Sequence, residues 1–318
     1  MTYHEADLRR LTTIPVAGRQ NKVDPSLLAS PPGDDRSFGA FLASLPDVLA
    51  ARDLRAVIAG VASATRGKRG VVLLIGGHVI KVGLGPLLRR LMTHGVITHL
   101  ALNGAAAIHD FELAAYGGTS EDVESGLADG TFGMAEETGA EMNAAVADAA
   151  RAKQGMGEGL ARGLAARKEL PGREVSVLLA AQELDIPVTV HAAIGAEIVH
   201  QHPAADGAAI GATSHRDFRR LAGSLPALHQ GGVVLNLGSA VVLPEVFLKA
   251  LTVARNLDQG RPTHFLAADF DMQRHYRPRL NVVQRPTRAG GAGYLLTGHH
   301  ELLLPMLVWG VLEELGAA

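Results

Sequence analysis

The chain has 318 residues, 47% of them hydrophobic and 19% charged, with 37 glycines, 15 prolines and a formal net charge of -2. It is long enough to bury a large core, and its basic runs are no longer than those at 216–220 and 275–279, so it carries no electrostatic footprint for nucleic acid. A cysteine count of zero excludes disulfides, thiolate catalysis and Cys-ligated zinc or iron–sulfur sites; with neither a signal-peptide core nor ~20 uninterrupted apolar residues for a membrane span, a cytoplasmic protein is expected.

Residues 1–45 include Pro15, Pro25, Pro31, Pro32 and Gly33, spaced too closely for long regular structure, and read as an arm lying on the core or on a neighbouring subunit. Residues 46–318 read as one domain. Helical periodicity begins near Phe38 and is clear over 48–65, after which GKRG turns the chain into VVLLIGG, an apolar run closing on two glycines as a buried parallel strand does. A helix, GLGPLLRRLMTHG, is followed by a second run, ITHLALNG, and by a helix opening at HDFELAAYGG. Residues 119–170 read as a mostly helical insert. The alternation resumes with a helix over 173–184, the strand IPVTVHAAIG, a helix near 214–228, the strand GGVVLNLGS, a helix over 244–256 and a strand near THFLAAD. The final helix, LLLPMLVWGVLEEL, reads as core, while His299, His300 and Glu301 at its opening read equally well as a cap or as functional groups. Such alternation predicts an α/β fold, a Rossmann-like doubly wound parallel sheet with helices on both faces, whose ligands sit beyond the carboxyl ends of the strands.

On such a sheet the informative residues come directly after each strand: Gly76, Gly77, His78 and Lys81; Asn103, Gly104, His109 and Asp110; His191, Gly195, His200 and His202; Asn236, Gly238 and Ser239; Asp269 and Asp271. Glycine lets backbone approach a ligand, and a helix N-terminus behind it offers unpaired N–H groups to an anion such as a pyrophosphate. Turn glycines also serve sterics alone, but their repetition around one edge favours a phosphate-bearing ligand. The G-x-G-x-x-G fingerprint is absent, GLGPLL supplying only its first two glycines. His200 and His202, one residue apart, would share one side of an extended strand, and with His191 or Asp206 would offer three ligands to a divalent ion. No HExxH motif is present, and a polar pocket of proton-carrying imidazoles is the favoured reading of this segment, beside a purely structural one. Asp110 is expected in the first turn of its helix, where capping and function are equally good explanations. Ser239 lacks a Gly-x-Ser-x-Gly elbow, which disfavours a serine hydrolase.

The order of these motifs resembles the deoxyhypusine synthase superfamily, whose NAD-binding core is a Rossmann-like sheet without the usual fingerprint. GGH at 76–78 looks like the family's Ser-Asn loop, NGAA at 103–106 its glycine turn, and His109-Asp110 its acidic pair. GGVVLNLGSAVVLPEVFLKALTVARN is similar to its Leu-Gly-Gly-Gly strand turn and following helix, and THFLAADFD to its Phe-Asp strand; the likeness runs in order over roughly residues 45–315. The resemblance implies NAD, held near Gly76, Gly77, His78, Asn103, Gly104, Gly238 and Ser239, and a homotetramer with active sites at subunit interfaces, partly covered by the N-terminal arm.

The departures bear on the reaction. YRPRLNVVQRPT, with Arg285 and Pro286, stands where the family has its imine-forming Trp-Gly-Lys, and a guanidinium that stays protonated is no substitute nucleophile. Leu243-Pro244-Glu245 replaces Lys-His-His, and Ala193-Ile194-Gly195 replaces Thr-Asp-Gly. Deoxyhypusine synthesis itself is therefore not expected. The expected activity is NAD-dependent oxidation, with or without group transfer, of a small amine or alcohol. His191 and His109 are the candidates for base or proton relay, and Asp110, Glu245 and Asp271 for holding the substrate. Two other readings stand beside it: a metal-assisted hydrolase or lyase using His191, His200 and His202, and a nucleotide-binding sensor or scaffold without catalysis.

Overall fold

The run VVLLI is β1 (Val71–Ile75), buried along its whole length as a strand covered on both faces must be. The computed structural model describes Met1 and residues 3–317. β1 is joined by β2 (His99–Asn103), β3 (Val188–His191), β4 (Val233–Leu237), β5 (Leu266–Asp271) and β6 (Ala292–Thr297). All pairings are parallel, in the order β3-β2-β1-β4-β5-β6. The order reverses between β1 and β4, so their connections leave in opposite directions and open a switch point at the carboxyl rim.

α1 (Phe38–Ser44) and α2 (Leu49–Arg66) precede the sheet. β1 leads into α3 (Gly77–Lys81) and α4 (Gly85–Thr93), and β2 into α5 (Gly104–Tyr116). The insert supplies α6 (Val123–Asp129), α7 (Glu136–Arg151) and α8 (Met156–Ala165), and α9 (Val177–Glu183) returns to β3. α10 (Gly207–Ser224) follows β3 and α11 (Val242–Leu257) follows β4. After β5 come a π-helical segment, Pro278–Gln284, and α12 (Arg285–Thr287); α13 (His300–Leu315) follows β6.

Because side chains alternate along a strand, each strand feeds two cores. Leu73, Ile75, Leu100, Leu102, Leu235 and Phe270 pack under α2, α4, α5 and α13, whereas Val72, Leu74, Ala101, Val234 and Ala267 pack under α10, α11 and the π-helical segment. No helix among the described residues is long and apolar enough to cross a membrane.

Three local expectations need correction. α5 opens at Gly104, where the Asn103 side chain accepts from Ala106 N at 2.9 Å, so His109 and Asp110 lie more than a turn inside the helix. α10 opens at Gly207, with Asp206 as its cap at 2.8 Å from Ala208 N, which commits the carboxylate offered above as a metal ligand. Ile198–Gln201 is a 3-10 turn, not extended strand, so His200 and His202 do not share a strand face. Of the arm, none of the described residues up to 36 is buried, and Leu8, Leu11 and Ile14 are exposed, whereas Phe38, Leu42 and Leu45 at its end pack on this chain's core.

Candidate functional site

The turns after β1, β2 and β4 bring Gly76, Gly77, His78, Asn103, Gly104, Gly238 and Ser239 to one rim. The glycines there first serve backbone against backbone: a methyl group on Gly76 would lie 2.0 Å from the Gly238 carbonyl oxygen. Gly238, at φ +69, also leaves room for His300, whose Nε2 would be 2.8 Å from a methyl group at that position. His300 is 1% exposed and tilted against His78 with ring centroids 5.6 Å apart. Its Nε2 donates to the Phe270 carbonyl at 3.2 Å, which leaves Nδ1 a buried acceptor without a partner among the described residues. The Ser239 hydroxyl accepts from Leu243 N at 3.2 Å, tying β4 to the start of α11.

Beside this switch point, along the ends of β1, β2 and β3, a cavity of about 220 Å³ is lined by Lys81, His109, Glu112, Glu121 and Glu197 among others. His109 Nδ1 lies 2.8 Å from Thr119 Oγ1, and that hydroxyl donates to Glu112 Oε2 at 2.5 Å. With its one proton given to the carboxylate, Thr119 can only accept from the imidazole. Nδ1 therefore carries the ring hydrogen, and Nε2, which has no hydrogen bond among the described residues, keeps its lone pair. Glu112 Oε1 accepts from the Thr138 hydroxyl at 3.0 Å, so two threonines hold the carboxylate in place. Burial pushes His109 below its ordinary pKa; nearby Glu112 opposes this, and Lys81 and His78 reinforce it. The result is a neutral imidazole of fixed tautomer, backed through one hydroxyl by a carboxylate: an oriented base.

Glu197 lies over Gly104 at the N-terminus of α5, and a methyl group on that glycine would be 2.0 Å from its carboxyl carbon. Ala193 N donates to Oε1 at 2.7 Å. His200 Nδ1 accepts from Gly195 N at 3.2 Å, so its Nε2 carries the proton facing Glu197 Oε2 at 3.3 Å. Burial outweighs the Ala193 bond and pushes Glu197 up to about 7, a carboxyl group poised between its two protonation states near neutrality.

The other expected site residues are not gathered there. Asp110, 1% exposed, spends its carboxylate on α9: Oδ2 accepts from the Ser176 hydroxyl at 2.6 Å and Leu178 N at 3.1 Å, and Oδ1 from Val177 N at 2.7 Å. One residue is about 100° around a helix, which is why His109 meets the cavity and Asp110 the interior. His191, 3% exposed, points with Thr189 toward the α10 and α11 side; its Nε2 and that of His99 each lie 3.0 Å from Thr189 Oγ1. Burial pushes His191 down to about 3. Glu245 accepts from Asn281 at 2.8 Å, and Lys249 first, then Arg277 at 3.2 Å, keep it below the usual carboxylate range. Asp271, at the end of β5, does border the switch point, close enough to favour a charged His300. His202 Nε2 lies 3.4 Å from Glu136, away from His191 and His200, and no group of three or more His, Cys, Asp or Glu among the described residues could hold a metal ion. The three-histidine metal site is thus withdrawn.

Glu112, Thr119, Thr138 and Glu197 escaped the sequence reading. The i, i+3 spacing of His109 and Glu112 on one helix was the available signal; nothing local links either to Thr138 or Glu197.

No protein-family model matches the chain, and no curated protein matches it in sequence. A conserved protein of Methanococcus maripaludis S2 assigned to LOR/SDH matches in structure at 14% identity over 84% of this chain and 71% of its own, with a TM-score of 0.50. AgrE in ternary complex with ornithine and NAD+ matches at 16% identity over 85% of this chain, with a TM-score of 0.50. The chain is thus similar in fold to these two proteins. It spans only about 35% of AgrE's length. A protein of Entamoeba histolytica assigned as a deoxyhypusine synthase stands at 11% identity over 87% of this chain and 93% of its own, with a TM-score of 0.49. At these identities the likeness is one of fold.

Proposed function

We propose that the chain binds NAD along the carboxyl rim of its sheet and oxidises a small amine or alcohol held in the adjoining cavity, with His109 as the base. The observation that carries this reading is the free Nε2 of His109, its tautomer set by the Thr119–Glu112 relay, on a cavity beside the switch point. Two features of the rim suit the cofactor: the turns bearing Gly76, Gly77, His78, Asn103, Gly104, Gly238 and Ser239 converge on one edge, and the buried His300 Nδ1 among them lacks a donor. AgrE, of similar fold, has been solved with NAD+ and ornithine.

When bound, NAD supplies the hydride acceptor. His109 Nε2 takes the proton from the substrate's O–H or N–H, and Glu112, through Thr119, stabilises the imidazolium that results. Glu121 and Glu197 face a cationic substrate group, and Asp271 stands at the cofactor side of the rim. The same reading includes a homotetramer with sites between subunits, in which a second copy covers the exposed Leu8, Leu11 and Ile14 of the arm and Trp309 of α13.

The test is turnover over a panel of polyamines, amino acids and small alcohols, followed by the absorbance of reduced nicotinamide. His109→Ala lowers kcat by about 10²–10⁴ and leaves the NAD-induced rise in Tm intact. NAD binding without turnover of any panel member identifies the non-catalytic sensor instead. A chain whose Tm ignores saturating NAD refutes the reading.

A further inference from the structure

A second cavity, of about 620 Å³, opens at the opposite edge of the sheet, where β2 and β3 begin. Its walls include His99, Gln154, Glu158, Arg162, Asp185 and Arg220. Among the described residues, His99 Nδ1 and Gln154 Oε1 are buried atoms with neither a hydrogen bond nor an ion pair, and both belong to this wall. His99 is 1% exposed and reaches Thr189 Oγ1 only through Nε2, so its other nitrogen has nothing to meet among the described residues. Buried polar atoms are normally satisfied, and such a pair of exceptions marks a place where something else supplies the bonds.

The chemistry of these atoms limits what that is. Gln154 Oε1 and Glu158 Oε2 accept and do not donate; the Gln154 amide already donates to Glu158 Oε1. Arg220 Nη2 lies 2.6 Å from Glu158 Oε2 in an ion pair, off the line of a hydrogen bond, so Glu158 balances that arginine's charge. Arg162, by contrast, has neither an ion pair nor a hydrogen bond among the described residues, and Asp185 likewise has no ion pair. One wall thus asks for N–H donors beside carboxylates, and another offers an uncommitted guanidinium, whose fork suits a carboxylate. We infer that this cavity binds a free α-amino acid, its ammonium toward Gln154, Glu158 and Asp185 and its carboxylate toward Arg162. The site lies across the sheet from the proposed catalytic rim and is independent of it.

The experiment is differential scanning fluorimetry of the full chain against each of the common L-amino acids, repeated in Arg162→Ala, Gln154→Leu and, at the rim, His109→Ala. At least one amino acid raises Tm saturably in the native chain. Loss of a charged hydrogen-bond partner raises its half-saturating concentration about ten- to hundred-fold in Arg162→Ala, and Gln154→Leu weakens it in the same direction. His109→Ala leaves the response unchanged. Because Arg162 is exposed and unpaired, its removal leaves the unliganded Tm where it was, so a lost response means lost binding. Three results overturn the inference: no amino acid raises Tm; the response persists in both Arg162→Ala and Gln154→Leu; or it disappears in His109→Ala, which assigns the amino acid to the rim. The NAD-induced rise, read in the same samples, reports separately on the rim.

Discussion

Asp110→Ala separates a structural from a catalytic role for a residue that the sequence left open. In the folded chain its carboxylate is the acceptor for two buried backbone amides, Val177 N and Leu178 N, and for the Ser176 hydroxyl, all at the start of α9. The hydroxyl can rotate; the amides cannot. Leaving two buried donors unpaired costs about 1–3 kcal/mol each, and a loss of about 3–5 kcal/mol is expected once partial relaxation is allowed, a large share of the ~5–15 kcal/mol that holds a domain together. Urea unfolding at neutral pH measures it as a fall in midpoint at unchanged slope. A second readout comes from pH. Burial raises Asp110 from 3.8 to about 6 in the folded chain. The native state therefore keeps its proton longer than the unfolded one, and this residue's contribution falls as pH rises from about 4 to about 6. Asp110→Asn removes that component. A loss below about 1 kcal/mol in Asp110→Ala, together with abolished turnover, refutes the structural assignment.

Glu197 and His191 give opposite pH signatures. Glu197 is raised from 4.5 to about 7, so the cost of ionising it is absent below 4.5 and fully present above 7. Glu197→Gln should stabilise the chain by about 1–3 kcal/mol at alkaline pH and by nothing at the acid end, as measured by denaturant unfolding at both; equal effects contradict the burial argument. His191 is lowered from 6.5 to about 3, so the unfolded chain takes up a proton below 6.5 that the folded chain refuses. Its contribution is complete above 6.5 and lost as pH falls. His191→Phe should therefore remove about 2 kcal/mol of the destabilisation between pH 7 and pH 5; parallel curves for the two proteins would count against a buried neutral imidazole.

Five of the six strands were legible because each is a short apolar run, buried on both faces, between turn residues. β6 was not, since an edge strand reading AGYLLT buries only Leu296 and so lacks the run that marks a central strand. The start of α5 was misread because Asn103-Gly104 looks like a turn, whereas the asparagine caps the helix and the alanines after it continue it. That shift of more than one turn is what made Asp110 look like a rim residue. The site was legible only in outline. Strand ends pointed to the rim and to His109, the proposed base, but its surroundings join Glu112 on α5, Thr119 in the loop after it and Thr138 on α7, and His300 enters from the last helix. Long-range contacts of this kind leave no periodic trace in a single sequence.

The central claim is that a dinucleotide lies along the carboxyl rim, and a crystal structure of the chain soaked with NAD tests it most directly. The account predicts cofactor density across the ends of β1 and β4, with a donor of the ligand on His300 Nδ1 and the nicotinamide directed toward the His109 cavity. Density in the cavity at the amino ends of β2 and β3, or an empty rim at saturating NAD, contradicts it.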